Sequence, residues 1–176
     1  MAVTSTVAGE GKTFIAVNMA GILAVSGKKV ILLDFDLRKP QLHKAFALEN
    51  QKGVSTYIIG KYELSQCIQH SEWENLDVLT SGPLPPNPAE FLLSPKTFDL
   101  IDTLKKEYDV VVLDTPPVGI VTDALGLIKL AHYPLYVVRA DYSSRSFLNN
   151  INYLVEEHQV KQLSVVLNDM GEGASG

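Results

Sequence analysis

Gly9-Glu10-Gly11-Lys12-Thr13 decides the fold because of what flanks it. Upstream, Ala2 to Ser5 is a short run of strand formers. Downstream, Lys12 to Ser26 carries Ile15, Met19, Ile22 and Leu23 at helical spacing and stops at Gly27, a residue that readily ends helices. A glycine-rich turn between a strand and a helix is where a phosphate loop belongs. Small residues let successive backbone N–H groups curl round phosphate oxygens, and the helix N-terminus adds its dipole. Lys12 reaches the outer phosphates and the Thr13 hydroxyl binds Mg²⁺. The expected nucleotide-binding stretch is therefore Ala8, Gly9, Glu10, Gly11, Lys12, Thr13 and Phe14. One departure is plain: the full phosphate-loop pattern would have glycine where Thr6 stands.

Outward from the loop, apolar runs of strand length alternate with helix-like segments. This predicts an α/β fold in three layers, α/β/α, with a mainly parallel sheet flanked by helices. The expected strands are Ala2 to Ser5, Lys29 to Asp34, Leu76 to Thr80, Val110 to Asp114, Tyr133 to Ala140 and Leu163 to Asn168. Further helices are expected at Pro88 to Leu93, Pro95 to Glu107 and Arg145 to Glu157. Asn87-Pro88-Ala89-Glu90 holds the elements of a capping box. Two strands deliver carboxylates. Val30-Ile31-Leu32-Leu33-Asp34-Phe35-Asp36 ends in two aspartates at alternate positions, which point the same way and would face the crevice of an open parallel sheet, the alternative being that Asp34 or Asp36 merely caps the next segment. Val110-Val111-Val112-Leu113-Asp114 ends in a third, the acidic wall of a P-loop ATPase. Thr13, Asp34 and Asp114 are the candidate metal residues; Lys12, Asp34 and Asp36 are the candidate catalytic ones.

Bulk composition narrows the class. A chain of 176 residues, 46% apolar, suits one domain over 1–176, and a net charge of −5 excludes a general basic field for nucleic acid. The single Cys67 and four scattered histidines offer neither an internal disulfide nor zinc-like spacing. No apolar run reaches the length of a spanning helix, so the chain is expected to be soluble. Residues 171–176 read as a flexible tail, and the two ends together suggest a fragment of a longer protein.

With these segments assembled, the chain resembles the bacterial tyrosine kinases of the capsular and exopolysaccharide co-polymerase family, within the P-loop ATPases that share a MinD/ParA-like core. Thr4 to Asn18 is similar to the family's Walker A segment, Leu33-Asp34-Phe35-Asp36-Leu37-Arg38-Lys39-Pro40 to its Walker A′, and Asp114-Thr115-Pro116-Pro117 to its Walker B. The most discriminating stretch is Gly82-Pro83-Leu84-Pro85-Pro86-Asn87-Pro88-Ala89-Glu90-Phe91-Leu92. The resemblance implies transfer of phosphate from ATP, with Mg²⁺, to tyrosine. Lys12 would neutralise the γ-phosphate and Asp34 or Asp36 would act as base, with Asp34 the first choice. It implies a membrane-spanning co-polymerase segment as activator, on the same chain or a separate one. It also implies tyrosine-containing substrates including the chain's own C-terminal tail, a ring-forming oligomer, and a place at the cytoplasmic face of the bacterial inner membrane. Arg38 and Lys39 either guide a phosphate or an acidic substrate or are simply solvated.

Departures from the family bear on these implications. Ala8 stands where proline is frequent, and the tyrosine-rich tail and the arginine-containing helix before the first strand are missing, so the fragment itself is expected to be a monomer. Tyr133 and Tyr136, on apolar strands, are expected in the core. Asn168, ending the last strand, is a candidate base contact, with a plain turn residue as its alternative. Two other functions stay open: a switch ATPase that hydrolyses ATP without phosphorylating protein, and an ATP-sensing adaptor without catalysis. Switch ATPases commonly carry a further lysine early in the loop, at the position that Val7 holds here.

Overall fold

The computed structural model describes residues 1–119 and 122–171. Among the described residues, seven strands form one sheet: β1 (Ala2–Ser5), β2 (Val30–Asp34), β3 (Gln69–His70), β4 (Leu76–Leu79), β5 (Val110–Asp114), β6 (Pro134–Arg139) and β7 (Ser164–Asn168). Their order is β3-β4-β2-β5-β1-β6-β7, parallel throughout except for β3, which runs antiparallel at the edge. Continuous Val/Ile/Leu runs suit strands covered on both faces. Val30, Leu32, Val78, Val112, Leu135 and Val137 point to one face, against Ala16, Ala20 and Ala24 of α1 (Lys12–Val25). Ile31, Leu33, Leu79, Val111 and Leu113 point to the other and meet α6 (Pro95–Glu107) through Leu100, Ile101 and Leu104. The expected mainly parallel three-layer arrangement is borne out.

Helix α1 ends as expected at Gly27. The Gly27 N–H donates to the Ala24 carbonyl at 2.9 Å and the Lys28 N–H to that of Leu23 at 3.2 Å, the paired bonds of a Schellman motif. Its buried stripe differs from the expected one. Alanines at 16, 20 and 24 let the helix backbone approach the sheet closely, so Ile15, Met19 and Leu23 are only half-buried along its flanks and Ile22 is 65% exposed.

The remaining helices are short: α2 (Leu42–Ala45), α3 (Val54–Ile58), α4 (Leu64–Cys67), α5 (Pro88–Leu92), α7 (Leu125–Leu130) and α8 (Leu148–Asn152). Four to six residues are too few to display a 3.6-residue period, which is why α2, α3, α4 and α7 are absent from the sequence reading. The expected helix over Arg145 to Glu157 is three pieces, a 3₁₀ turn at Arg145–Phe147, α8, and a π turn at Tyr153–Glu157. The capping box at Asn87 does not form: the Asn87 amide donates to the Glu90 carboxylate at 3.1 Å, so both side chains engage each other in place of the backbone. Tyr136 is buried as expected, but Tyr133 is 62% exposed because it lies just before β6 begins. Of the tail read at 171–176, residues 172–176 lie outside the described residues.

Parallel pairing aligns the strand ends that matter. Asp34 of β2 is the register partner of Asp114 of β5, and Val3 of β1 pairs with Asp114 from the other side. The loop leaving β1 therefore rises between β5 and β6, directly beside two carboxylates.

A close backbone approach holds the region beyond β4. The N–H groups of Val54 and Ser55 donate to the carbonyls of Thr80 and Ser81 at 2.9 and 2.8 Å. A Cβ on Gly53 would come within 2.2 Å of the Thr80 oxygen and 2.4 Å of the Gly82 nitrogen. Gly53→Ala should lower the urea unfolding free energy by about 1–3 kcal/mol through overpacking. Gly27→Ala meets nothing within 4 Å and should cost only the left-handed strain of about 1–2 kcal/mol. Equal transitions for Gly53→Ala and wild type would refute the close approach.

Candidate active site

The site is built on one buried cation and three buried carboxylates. Lys12 is the first residue of α1, and its ammonium lies 2.9 Å from Asp36 Oδ2 and 3.2 Å from Asp114 Oδ1. The neighbouring Thr13 hydroxyl donates to the other Asp114 oxygen at 2.6 Å and lies 3.4 Å from the ammonium. Asp34 and Asp114 are fully buried, and Lys12 and Asp36 nearly so. Burial alone would lower the Lys12 pKa, but the adjacent charges of Asp114 and Asp36 reverse the sign and hold it raised. Burial raises the Asp114 pKa against the opposing pull of Lys12 and the Thr13 hydroxyl. Asp34 is pushed up to about 7, first by burial and then by the charge of Asp114.

Asp34 and Asp36 share the α1 side of the sheet but sit at different depths. Asp34 Oδ2 accepts the N–H groups of Gln41 and Leu42, both at 3.0 Å, where α2 begins, and its Oδ1 accepts the N–H of Asp36 at 3.2 Å. Its carboxylate is thus a structural anchor for the turn. Asp36 instead lines an open cavity of about 310 Å³, together with Ala8, Gly9, Gly11, Lys12, Thr13 and Phe14. Lys39, which the resemblance offered as a guide for phosphate or acidic substrate, and Gln41, to which the sequence gave no role, complete that wall. Arg38 lies outside it, paired with Asp123 at 3.3 Å.

Glu10 and Asn168 hold the loop from behind. The Glu10 side chain is fully buried, accepts the Val7 N–H at 2.8 Å and receives the Ser143 hydroxyl. The Asn168 amide donates to the Glu10 carbonyl at 3.1 Å, so it engages the loop itself. Thr6, in place of the pattern's first glycine, is hydrogen-bonded to the buried Tyr136 hydroxyl. Arg139, Tyr142 and Ser143 also touch the loop, yet no local motif marks them.

The donor set fits Mg²⁺. Thr13 Oγ1 and the Asp114 carboxylate supply hard oxygen ligands, and Lys12 already shows that a cation is favoured there. No cluster of three His, Cys, Asp or Glu side chains able to hold a metal occurs among the described residues.

A parallel sheet carrying a glycine-rich loop, an invading lysine and strand-end aspartates defines a nucleotide-binding protein of the P-loop class. Residues 1–165 match the AAA domain family. The chain is 39% identical over 166 residues to the tyrosine-protein kinase YwqD of Bacillus subtilis, covering 94% of this chain and 70% of that protein. It is 37% identical over 168 residues to the putative tyrosine-protein kinase CapB of Staphylococcus aureus, covering 96% and 74%. The chain therefore belongs to the bacterial tyrosine-kinase family, as the Gly82 to Leu92 segment led one to expect. Some relatives are much longer: the Escherichia coli kinase etk is 33% identical over 173 residues, which cover 98% of this chain and 24% of that one.

Solved structures agree. The chimerical protein CapA2B2 superposes with a TM-score of 0.92 at 40% identity, covering 97% of this chain and 76% of that one. The kinase domain of Escherichia coli ETK gives 0.91 at 32%, covering 99% and 69%. The septum-site protein MinD of Pyrococcus horikoshii, solved with Mg-ADP, gives 0.73 at 21% identity over 93% of this chain and 66% of that one, which shows the shared fold.

Removing the central cation should be felt without any ligand. Lys12→Met leaves Asp36 and Asp114 buried and unpaired, and breaking such a pair costs about 3–5 kcal/mol. Urea unfolding of the nucleotide-free protein should show that loss, and the double variant Lys12→Met/Asp36→Asn should recover part of it. A Lys12→Met protein as stable as wild type would mean that the ion pairs contribute nothing.

Proposed function

We propose that this chain is the single-domain catalytic core of an ATP-dependent, autophosphorylating protein-tyrosine kinase, with Mg²⁺ and ATP bound at the cleft above Lys12. The observation that carries the reading is Asp36. It is the carboxylate that borders the cavity, 2.9 Å from the lysine of the phosphate loop, in a chain of the tyrosine-kinase family. Thr13 and Asp114 would hold the metal, with Asp34 behind them. When bound, Mg²⁺ supplies charge neutralisation to the phosphates.

The loop amides and Lys12 would hold the phosphates of the nucleotide at the cleft. An ammonium drawn to phosphate would release Asp36, leaving its carboxylate free to accept a proton. A tyrosine hydroxyl of pKa about 10 is a weak nucleophile at neutral pH, so an aligned base is the help it needs. The tyrosine oxygen bonds to phosphorus, the bond to the β,γ-bridging oxygen breaks, and the proton passes to Asp36 as ADP departs. We assign the base to Asp36 over Asp34 because the Asp34 carboxylate is fully buried and already accepts three backbone N–H groups.

The resemblance to the capsular and exopolysaccharide tyrosine kinases suggests the surroundings. The activator is a membrane-spanning co-polymerase segment, the substrates include a tyrosine-bearing tail, the longer protein assembles as a ring at the cytoplasmic face of the inner membrane, and the output is control of capsule or exopolysaccharide export. No helix among the described residues is long and apolar enough to cross a membrane, so any such anchor lies in another segment or another chain.

The test is transfer of labelled phosphate from Mg·ATP to a tyrosine-rich peptide, with phosphate release followed in parallel and with the activator segment added. Lys12→Met should lower phosphotyrosine formation by about 10²–10³-fold, the loss seen when one charge-stabilising donor is removed. Asp36→Asn should lower it by about 10²–10⁴-fold as a lost general base, while Asp34→Asn, which keeps an acceptor for α2, should fall less. The reverse ranking would return the base to Asp34. Phosphate release without phosphotyrosine would make the protein a switch ATPase, and nucleotide binding with neither product an adaptor.

A further inference from the structure

We propose that Arg139, Tyr142 and Asn168 are positioning residues that set the phosphate loop in its anion-binding shape before a nucleotide arrives. The proposal rests on the nucleotide reading of that loop. Three consecutive loop carbonyls each accept a hydrogen bond from a side chain behind them. The Tyr142 hydroxyl donates to Ala8 O at 3.0 Å, Arg139 Nη1 to Gly9 O at 3.0 Å, and Asn168 Nδ2 to Glu10 O at 3.1 Å. These donors come from the ends of two neighbouring strands, where Arg139 of β6 is the register partner of Asn168 of β7.

The donors are themselves held. Asp169 Oδ2 accepts Nε and Nη2 of Arg139 at 2.9 and 2.8 Å, which leaves Nη1 pointing at Gly9. The guanidinium carbon lies 5.3 Å from the centre of the Tyr142 ring, close enough for a cation–π contact. Ser143 Oγ accepts the Arg139 N–H at 2.9 Å and donates to the buried Glu10 carboxylate, so the same turn also braces the loop's one acidic side chain.

Amides and carbonyls of the loop are thereby sorted to opposite sides. Among the described residues, the N–H groups of Ala8, Gly9 and Gly11 donate to no protein acceptor, while the carbonyls of Ala8, Gly9 and Glu10 are all engaged. Gly9 and Gly11 have φ of +91° and +95°. Glycines at such angles let a peptide plane rotate at little energetic expense. One flipped peptide would aim a carbonyl oxygen at a phosphate. Side chains that hold the carbonyls outward keep the binding-competent population high, and apparent affinity falls in proportion as that population shrinks.

The experiment measures dissociation constants for Mg·ADP by calorimetry, and for Mg·pyrophosphate by competition against labelled ADP. The proteins compared are wild type, Tyr142→Phe, Arg139→Gln and the double variant. Tyr142→Phe removes one hydrogen bond to the loop, Arg139→Gln removes its own loop bond together with the Asp169 pair that holds it, and each should weaken both ligands by the same factor, about 3- to 10-fold, with the double variant weaker still. Tyr142 is 52% exposed, so melting temperatures of the nucleotide-free proteins should stay within about 3 °C of wild type. Unchanged affinity overturns the proposal. A loss for ADP alone would mean that the side chains touch the nucleoside, and a loss only where the melting temperature collapses would mean a general structural role; either overturns it. A wild-type protein that binds neither ligand would fail differently, by removing the nucleotide reading on which the proposal stands.

Discussion

The Lys12 ammonium, 2.9 Å from Asp36 and 3.2 Å from Asp114, is the interaction on which the site depends. Three carboxylates gathered at two adjacent strand ends repel one another, and burial makes each charge harder to keep. Without a cation among them, two would have to take up protons or move apart. The direction of the shifts records that tension: Asp34 and Asp114 are raised by burial even with the lysine in place. A buried cluster of this kind is a poor source of stability compared with apolar packing. On the nucleotide reading proposed above, it makes better sense as a site whose internal cation would be exchangeable for an external one, with Asp114 and Thr13 as the residues that would hold it and Lys12 free to turn to phosphate.

That exchange needs a rigid frame, and the parallel sheet provides it. Asp34 and Asp114 are side by side because β2 and β5 are in register, and both strands are pinned on two faces by aliphatic layers. Helix α1 adds its N-terminus at the same point, close to the sheet because its buried stripe is alanine. On the opposite side of the loop, β6 and β7 bring Arg139 and Asn168 against its carbonyls. The acidic wall sets what the cleft attracts, and the polar wall sets the shape of the loop that receives it.

The sequence made the long elements and the three acidic positions legible for the same physical reason. Buried parallel strands must be uninterrupted apolar runs, so a carboxylate at the end of Val30 to Asp34 or Val110 to Asp114 is conspicuous. Short helices such as Leu42–Ala45 show no period, and a capping signal at Asn87 does not reveal that its amide will choose the Glu90 side chain over the backbone. Tyr133 looked like a strand residue because its neighbours are apolar, while the strand in fact begins one residue later. Arg139, Tyr142 and Ser143 were illegible for a different reason. Their role exists only through contacts with Ala8, Gly9 and Glu10, more than 120 residues away, and no spacing rule reaches that far.

The division between Asp34 and Asp36 shows where periodicity stops being sufficient. Alternation places both on the α1 side of the sheet, which is all that a period of two can say. Depth is decided by the turn after the strand. The Asp36 N–H folds back onto Asp34 Oδ1, and the chain then returns so that the Gln41 and Leu42 N–H groups reach the other oxygen. Asp34 is thereby drawn inward as the anchor of the turn. Asp36 is left on the cleft wall with its Oδ2 on Lys12 and its Oδ1 accepting the Lys39 N–H at 3.1 Å. One oxygen of Asp36 is therefore held by the backbone, and the other depends only on where the lysine points. On the kinase reading proposed above, a phosphate that drew Lys12 away would free that oxygen, so occupation of the loop and release of a base would be the same movement of one side chain.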